Sequence, residues 1–309
     1  MESNAGRITF GILLSALFSV NSSLSQQITT YESQTVKTGA RSMALADGIV
    51  SDKYDVTSMY SNAATLAYIQ NFALLFDHSE ERSIHASNEN ISIPFRLEKN
   101  QTIAVAASLR HVGYIGQSKD DEFKTEEFGY DFAYAVEIAR GVSIGGTLDL
   151  RYGKSSTSKL WALSGLVGFY YLPAENLSFG MAFRQIGNGI IYSSDQVNTS
   201  LSSVRLPGSI DAGVAMRYPT IFRPLVMTLL ASNEKIFRRD GIIYRGGGEF
   251  IFRQWLVGRI GYYFDSGQKT GSARYGIGLR VSRMNVDYSI SPQAWSDELY
   301  RFSIAIGLN

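Results

Sequence analysis

The sequence predicts an all-β fold: a transmembrane antiparallel β-barrel of about fourteen strands with an N-terminal hatch segment. Three observations support it. Apolar and polar residues alternate from Ile69 onward, short and long connections alternate along the chain, and one face of the strands carries repeated charges. Composition agrees, because 18% of the residues are charged, against about 25% in ordinary soluble domains. Composition alone also allows a soluble β-sandwich, which the connections argue against.

Period-two alternation identifies the strands, because successive side chains of a strand point to opposite faces. One segment places Leu177, Phe179, Met181 and Phe183 on one face, with small or charged residues between them. Fourteen segments follow this pattern, an even number as in bacterial single-chain barrels. They cover residues 69–77, 83–95, 101–113, 126–139, 142–154, 159–172, 175–187, 207–219, 223–233, 242–252, 255–265, 273–282, 284–291 and 299–308.

The connections between these segments are sorted by length. Six are tight and lie near residues 98–100, 140–141, 173–174, 219–222, 253–254 and 283. Those between them are mostly longer, at 114–125, 188–206, 234–241, 266–272 and 292–298, with two shorter ones after Asp77 and Lys154. Outer-membrane barrels have tight periplasmic turns and larger extracellular loops. The alternation therefore predicts such a barrel, with both chain ends on the periplasmic side.

Charged residues recur on the strand face that also carries Gly, Ala and Ser. Placing Arg against lipid at mid-bilayer costs roughly 2–4 kcal/mol, so we expect these side chains to point into the lumen. Ten Arg and six acids predict paired networks there rather than an open pore of one charge. The residues are Arg110, Asp131, Glu137, Asp149, Arg151, Arg184, Asp211, Arg217, Arg245, Glu249, Arg253, Arg259, Arg274, Arg280, Asp287 and Arg301.

Aromatic residues near strand ends are candidates for the girdles that mark the two membrane interfaces. The general preference of aromatic residues for strands is an alternative explanation of equal weight. The candidates are Tyr152, Trp161, Tyr170, Tyr171, Tyr218, Trp255, Phe264, Trp295 and Tyr300.

The N-terminus predicts export. Arg7 precedes an apolar stretch from Ile8 to Val20, and small residues at Ser23 and Ser25 suit cleavage after residue 25. A membrane anchor is the alternative, but the apolar stretch is too short to span a bilayer. We therefore predict a signal peptide at 1–25, a hatch segment at 26–68 and a transmembrane β-barrel at 69–309. The hatch segment lacks strand alternation, so it either plugs the lumen or lies in the periplasm.

No arrangement of residues indicates catalysis. The chain has no Cys, which excludes disulfides and thiolate sites. His78, His85 and His111 lack the spacing of metal ligands. A net charge of +1 gives no bulk attraction to nucleic acid. We predict a non-enzymatic protein in contact with outer-membrane lipid, with no metal, no cofactor and no nucleic-acid partner.

The segment before the first strand resembles the N-terminal signature of the FadL-like superfamily of outer-membrane β-barrels. It reads TGARSMALADG at 38–48 and DVTSMYSNAATLA at 55–67. The branch it is most similar to is the PorV/PorQ proteins of Bacteroidota. The resemblance implies a fourteen-stranded barrel in the outer membrane of a Gram-negative bacterium, with the hatch inside the lumen.

The resemblance implies two functions. PorV/PorQ proteins are accessory parts of the type IX secretion system, which carries proteins to the cell surface with other secretion components as partners. At 309 residues the chain suits that branch, so this is the main prediction. The alternative is a FadL-like transporter of long-chain fatty acids or other hydrophobic ligands, which predicts an apolar cavity between hatch and wall and a side opening. A purely structural or adhesive barrel is a third hypothesis.

Candidate site residues lie in the hatch and the lumen. We expect Arg41 to pair with lumen acids and Asn62 to anchor the hatch by backbone hydrogen bonds, with a capping or turn role as the alternative for both. The glycines at 246–248 lie inside a strand and indicate a bend or a close approach of the hatch. The candidate set is Arg41, Asp47, Asn62, Asp149, Arg151, Arg184, Asp211, Arg245 and Glu249.

Overall fold

The computed structural model describes residues 38–53, 55–69, 72–82, 85–113, 125–154, 158–194, 202–204, 206–219, 225–292 and 299–308. The predicted signal peptide and residues 26–37 of the hatch lie outside these ranges, so both stay predictions. The girdle candidate Trp295 lies outside them as well.

Antiparallel strands make up most of the described chain, because the alternating segments pair with their sequence neighbours. Each of the fourteen predicted segments coincides with one long strand, and the three-residue β8 is an addition that the pattern did not predict. The strands are β1 (Phe72–Glu81), β2 (Ala86–Glu98), β3 (Gln101–Val112), β4 (Thr125–Ala139), β5 (Val142–Lys154), β6 (Ser158–Ala174), β7 (Leu177–Ser194), β8 (Ser202–Val204), β9 (Ser209–Pro219), β10 (Leu225–Ile236), β11 (Ile243–Phe252), β12 (Leu256–Asp265), β13 (Thr270–Val281), β14 (Met284–Ser291) and β15 (Leu299–Leu308).

The long strands close into a ring. Apart from β8, strands that are neighbours in sequence pair with each other, β7 pairs with β9, and β1 also pairs with β15. The short β8 adds only to the edge of β7, so the wall has fourteen strands. Following paired residues round the ring from Leu177 leads back to β7 at Ser193. This stagger is what a closed barrel of tilted strands requires, and the predicted fold class is confirmed.

Short and long connections alternate as predicted. The turns after β2, β4, β6, β9, β11 and β13 have two to five residues, whereas the other connections have three to fourteen. Because neighbouring strands are antiparallel, the six tight turns lie at one end of the barrel. Phe72 at the start of β1 pairs with Leu308 at the end of β15, so both strand ends lie there too.

The two faces of the wall differ in chemistry. Side chains such as Leu148 and Ile277 are exposed on the outward face, whereas Asp211 and Arg301 are buried on the inward face. Fifteen of the sixteen predicted lumen charges lie on the inward side of their strands. The prediction is wrong for Arg253, because this residue lies in the turn after β11, exposed and 5.4 Å from the ring centre of Phe252.

Aromatic side chains face outward near both ends of the strands. The rings of Tyr152 and Trp161 lie 4.5 Å apart near the end with the long connections. Tyr171 and Tyr218 are exposed near the end with the tight turns. Tyr170 is wrong as a girdle candidate, since it points inward, is fully buried and packs against Tyr68 of the hatch with ring centres 5.1 Å apart.

The described part of the hatch lies inside the barrel. It forms α1 (Ala40–Ala44) and two 3-10 helices, Ser58–Tyr60 and Ala63–Tyr68. The α1 helix contacts β12–β15, and the second 3-10 helix contacts β3–β6. Ile69, the first residue of the predicted barrel, instead ends this helix by donating its backbone N–H to Leu66. None of the helices in the described ranges is long and apolar enough to cross a membrane.

Candidate functional site in the lumen

Inward-facing glycines let the hatch backbone touch the wall. A Cβ on Gly180 would lie 2.0 Å from the carbonyl oxygen of Val50, and one on Gly247 would lie 3.2 Å from the Cβ of Leu45. The sequence predicted either a bend or a close approach of the hatch at residues 246–248. Gly247 shows the close approach. A side chain at either position would push the hatch away from the strand.

Arg41 of α1 is buried, and its guanidinium donates to three carboxylates. Nε lies 2.8 Å from Glu249 Oε2, Nη1 lies 3.0 Å from Asp55 Oδ2, and Nη2 lies 2.5 Å from Asp52 Oδ2. Asp52 and Asp55 belong to the hatch, whereas Glu249 belongs to β11. One side chain therefore ties two parts of the hatch together and joins them to the wall.

The same network continues along the wall from Glu249. Arg259 of β12 donates to Glu249 Oε2 at 2.7 Å and to Asp287 Oδ1 at 2.6 Å, and Arg280 Nη2 lies 3.6 Å from Glu249 Oε1. Buried charges are tolerated only when they are paired and hydrogen-bonded. The guanidinium groups of Arg41 and Arg259 and four carboxylates meet this requirement here, and the partly exposed Arg280 adds a third cation. We call these residues the Arg41 cluster: Arg41, Asp52, Asp55, Glu249, Arg259, Arg280 and Asp287.

Arg41 keeps its charge in this site. Burial lowers the pKa of its guanidinium, but the carboxylates of Asp52, Glu249 and Asp55 raise the pKa by more, so it lies well above its ordinary value. The hatch is therefore held by a permanent cation. The ion pairing between Arg41 and the wall weakens when a carboxylate partner moves away or loses its charge.

Two further contacts fix α1 and the residues that follow it. Asp47 accepts a hydrogen bond from Arg274 of β13. The backbone N–H of Ala40 donates to Ser303 Oγ at 2.6 Å, and this hydroxyl donates to Asp77 Oδ1 at 2.5 Å. The hatch is thus attached to the wall by residues that precede and follow Arg41 in the sequence.

Asn62 anchors the second 3-10 helix. Its Nδ2 donates to the carbonyl oxygens of Val50 at 2.7 Å and Phe169 of β6 at 3.0 Å, and its Oδ1 accepts from the Ala64 N–H at 3.1 Å. The side chain therefore caps the helix and links two parts of the hatch to the wall. The capping and anchoring roles, weighed as alternatives from the sequence, occur together.

Strand hydroxyls satisfy carbonyl groups of the hatch that its short helices leave unpaired. Each donates across the interface at 2.7–2.8 Å: Ser143 to Ala64, Thr147 to Met59, and Ser178 to Ser51. An irregular segment inside a barrel needs such partners, because a buried carbonyl without one is costly.

Among the described residues, two other clusters of three or more charged side chains line the lumen. In one, Arg184 and Arg245 share Asp211, with nitrogen–oxygen distances of 3.4 and 3.6 Å, and both also pair with Glu234. Both Arg residues and both acids come from the wall strands β7 and β9–β11. This cluster therefore braces the barrel where β7 meets β9.

The second of these clusters reaches the hatch. Arg151 lies 2.6 Å from Asp149 and 3.4 Å from Asp131. Tyr60 of the hatch is buried nearby, and burial together with the negative charge of Asp131 raises the pKa of its phenol. The phenol therefore stays protonated, and its oxygen accepts a hydrogen bond from Asn90 Nδ2 at 2.7 Å.

The predicted site residues thus fall into several groups rather than one centre. Arg41 meets Glu249, Asp149 meets Arg151, and Arg184 and Arg245 share Asp211, while Asp47 and Asn62 make separate contacts.

The prediction missed three members of these networks: Asp52, Asp55 and Glu234. Glu234 was missed because the predicted strand ended at residue 233, although the inward positions Thr228, Leu230 and Ser232 extend to it. Four further members were predicted as lumen charges but not as site residues: Asp131, Arg259, Arg280 and Asp287. The hatch acids had no periodic pattern from which their positions follow.

An apolar groove of about 590 Å3 lies on the outer face of β4–β7. Its walls include the outward side chains of Phe132, Leu148, Val167 and Ile186. The transporter hypothesis predicted a cavity between hatch and wall. This groove lies on the opposite side of the wall from the hatch.

The pairing of the wall is interrupted between β7 and β9. Pairing between β7 and β9 ends at Arg184 and Ser209, although β7 continues to Ser194. Gln185 has a φ of 57°, which marks a bulge, and β7 pairs with β8 only from Ile190 onward. In the part of the chain that the structure describes, residues 186–189 have no strand partner on the β9 side.

Comparison with known proteins shows likeness in structure and none in sequence. No protein-family model matches the chain, and no curated protein matches it. The solved structure of the CymD monoaromatic hydrocarbon channel has a TM-score of 0.64 at 13% identity, covering 89% of this chain and 98% of that chain.

Two further solved structures resemble the chain. The toluene transporter TbuX of Ralstonia pickettii has a TM-score of 0.58 at 12% identity, covering 83% of this chain and 95% of that one. A Pseudomonas aeruginosa FadL homologue has a TM-score of 0.53 at 8% identity, covering 82% and 94%. At these identities the likeness concerns the fold, and this chain has the fourteen-stranded, closed FadL-like barrel.

Proposed function

We propose that this chain is a non-enzymatic outer-membrane protein that admits hydrophobic small molecules and is closed here by its hatch. The observation that carries the proposal is the hatch, which lies in the lumen and is held there by the buried Arg41 cluster. Support comes from the shared fold of CymD and TbuX, whose names describe a monoaromatic hydrocarbon channel and a toluene transporter.

The wall supports placement in a Gram-negative outer membrane. Its outward face is apolar and its inward face carries the charges, as expected for a barrel with lipid outside. We assign the end with tight turns to the periplasm, which places the start of β1 and the end of β15 there. We further propose that residues 1–25 are a signal peptide for export and that the hatch begins at residue 26.

Passage through the barrel requires the hatch to move. Removing one partner of a buried ion pair costs roughly 3–5 kcal/mol, so the Arg41 cluster is strong enough to favour the closed arrangement. An entering ligand has to offset this free energy. The interruption between β7 and β9 supplies a place where an apolar molecule leaves the lumen sideways into lipid.

The motif at 38–48 and 55–67 favours a second function, the accessory role in type IX secretion predicted from its resemblance to PorV/PorQ proteins of Bacteroidota. This role requires binding to other secretion components. It predicts that a deletion strain loses surface proteins while its uptake of hydrophobic molecules is unchanged.

Uptake by whole cells tests the main proposal. The chain is expressed in a Gram-negative host that lacks its own fatty-acid channel, and uptake of radiolabelled toluene, a long-chain fatty acid and a sugar is measured. We expect faster uptake of toluene or the fatty acid and unchanged uptake of the sugar. Hydrophobic uptake equal to that of cells with an unrelated barrel at the same level would overturn the proposal.

A further inference from the structure

The outer groove exists because two glycines face outward side by side. On β5 and β6 the register pairs Gly146 with Val167 and Leu148 with Gly165, so the two glycines are diagonal neighbours on one face. Larger outward side chains surround them, including Phe132. The result is a slot across four strands, roughly 14 Å wide at the usual spacing between strands.

The groove lies at hydrocarbon depth. Trp161 and Tyr171 face outward on the same strand as Gly165, four residues before it and six after it. At roughly 3.3 Å per residue, both ends of the slot fall within the apolar band of about 25 Å that such barrels present to lipid.

The groove offers no free polar group to a ligand. Two of its described lining residues carry hydroxyls, and both hydroxyls are already bonded elsewhere. Thr147 donates inward to the Met59 carbonyl at 2.8 Å, and Tyr134 donates to Gln101 Oε1 at 2.9 Å. A ligand that needs hydrogen bonds therefore has no partner here, whereas a hydrocarbon chain needs none.

We propose that this groove is a binding site for one acyl chain of a membrane lipid. Lipid tails are as apolar as the wall, so preference for a site depends on how many atoms the chain touches. A smooth convex wall meets a chain from one side only. The slot meets it from a floor of backbone and from side walls, and its volume lies in the range of pockets that hold small ligands.

The groove and the hatch lie on opposite faces of β5 and β6. On the inward side of the same two strands, a Cβ on Gly145 would lie 2.7 Å from the backbone of Ala63, and one on Gly168 would lie 1.9 Å from Asn62 Oδ1. Inward glycines are therefore unsuitable for testing the groove. A Cβ on Gly165 makes only ordinary contacts, at 3.4 Å and 3.5 Å from backbone oxygens, so Gly165→Leu fills the slot and leaves the hatch contacts intact.

Photo-crosslinking tests the site. The protein is reconstituted in phosphatidylethanolamine nanodiscs that contain a phospholipid with a diazirine in its acyl chain, and adducts are mapped by mass spectrometry. We expect about fivefold more adducts per residue on Leu148 and Val167 than on the outward residues Ile91 of β2 and Tyr288 of β14. Gly165→Leu removes this excess. Gly258→Leu is the matched control, because nothing lies within 4 Å of its added Cβ, and it leaves the excess unchanged.

The inference rests on the membrane placement proposed above and not on any transported molecule. Equal labelling of the groove and of Ile91 and Tyr288 would overturn the groove but leave that placement intact, whereas an unlabelled barrel would overturn the placement itself. Displacement of the adducts by excess toluene would overturn the lipid as occupant in favour of a transported molecule. A groove that is labelled in nanodiscs with one copy but not in nanodiscs with two copies would overturn it in favour of a second copy.

Discussion

The Arg41 guanidinium and the Glu249 carboxylate meet at two points, with Nε 2.8 Å from Oε2 and Nη2 3.2 Å from Oε1. Two-point pairing fixes orientation as well as distance. The residues are 208 positions apart in the sequence, so the pair joins the hatch to a strand far along the chain.

Replacing Arg41 by Met removes the cation and leaves the buried carboxylates of Asp52, Asp55 and Glu249 facing each other. We expect the hatch to lose roughly 3–5 kcal/mol of stability. Faster hydrogen–deuterium exchange in peptides from residues 38–69 of the purified protein will show this. Arg253→Met is the matched control, because Arg253 is exposed in a turn. Equal protection in both variants would refute the role of Arg41.

Asn62→Ala removes a helix cap and two donors to backbone carbonyls. At roughly 0.5–1.5 kcal/mol for each hydrogen bond, we expect the hatch to be destabilised by about 2–3 kcal/mol. Asn62→Asp keeps the acceptor for the Ala64 N–H but loses both donors. Exchange in the hatch is measured for both variants, and an aspartate variant as protected as the wild type would show that the anchor is dispensable.

Gly180→Ala tests the direct contact between hatch and wall. The added Cβ would lie 2.0 Å from the Val50 carbonyl oxygen, so the hatch must shift, at a cost of roughly 1–3 kcal/mol. Gly258→Ala, which adds the same methyl group in open space on the outward face, is the control. Thermal unfolding in detergent compares them, and equal midpoints would contradict the close packing.

Tyr68 should make the stability of the folded protein depend on pH in alkaline solution. Burial, followed by the negative charge of Glu137, raises the pKa of the Tyr68 phenol to about 12. An unfolded phenol ionises near pH 10, so between these values the folded state binds more protons and stability falls as pH rises. Tyr68→Phe removes this loss. Denaturant midpoints of variant and wild type should therefore converge or cross between pH 9 and about 11, and a constant difference would refute the shift.

The barrel was predictable because its strands carry a local signal. Alternation such as that of Leu177 to Phe183 depends only on the two environments of the wall, lipid outside and lumen inside. The difference between these two environments also predicted which charged residues face the lumen. It failed at Arg253 and Tyr170, near strand ends, where one residue of difference in a boundary moves a side chain into a turn or to the opposite face.

The hatch contacts were less predictable, because they depend on how an irregular segment folds inside the ring. The sequence predicted that Arg41 pairs with lumen acids. Which acids it pairs with, Asp52, Asp55 and Glu249, depends on how the chain turns between α1 and the first 3-10 helix. The outer groove has no motif. It requires Gly146 and Gly165 to be neighbours across two strands, which the register decides.

A hatch that is held to the wall should close the proposed route for hydrophobic molecules. The chain has no Cys, and a Cβ placed at position 247 would lie 3.2 Å from the Cβ of Leu45. The small shift of the hatch that a side chain at this position requires brings the pair to the roughly 3.5–4.5 Å of disulfides. The pair Leu45→Cys and Gly247→Cys therefore locks the hatch under oxidation. Uptake of labelled toluene and fatty acid by cells carrying this variant is measured before and after mild reduction. We predict uptake at the background level when the hatch is locked and restored uptake after reduction, whereas equal uptake in the two states would contradict the claim.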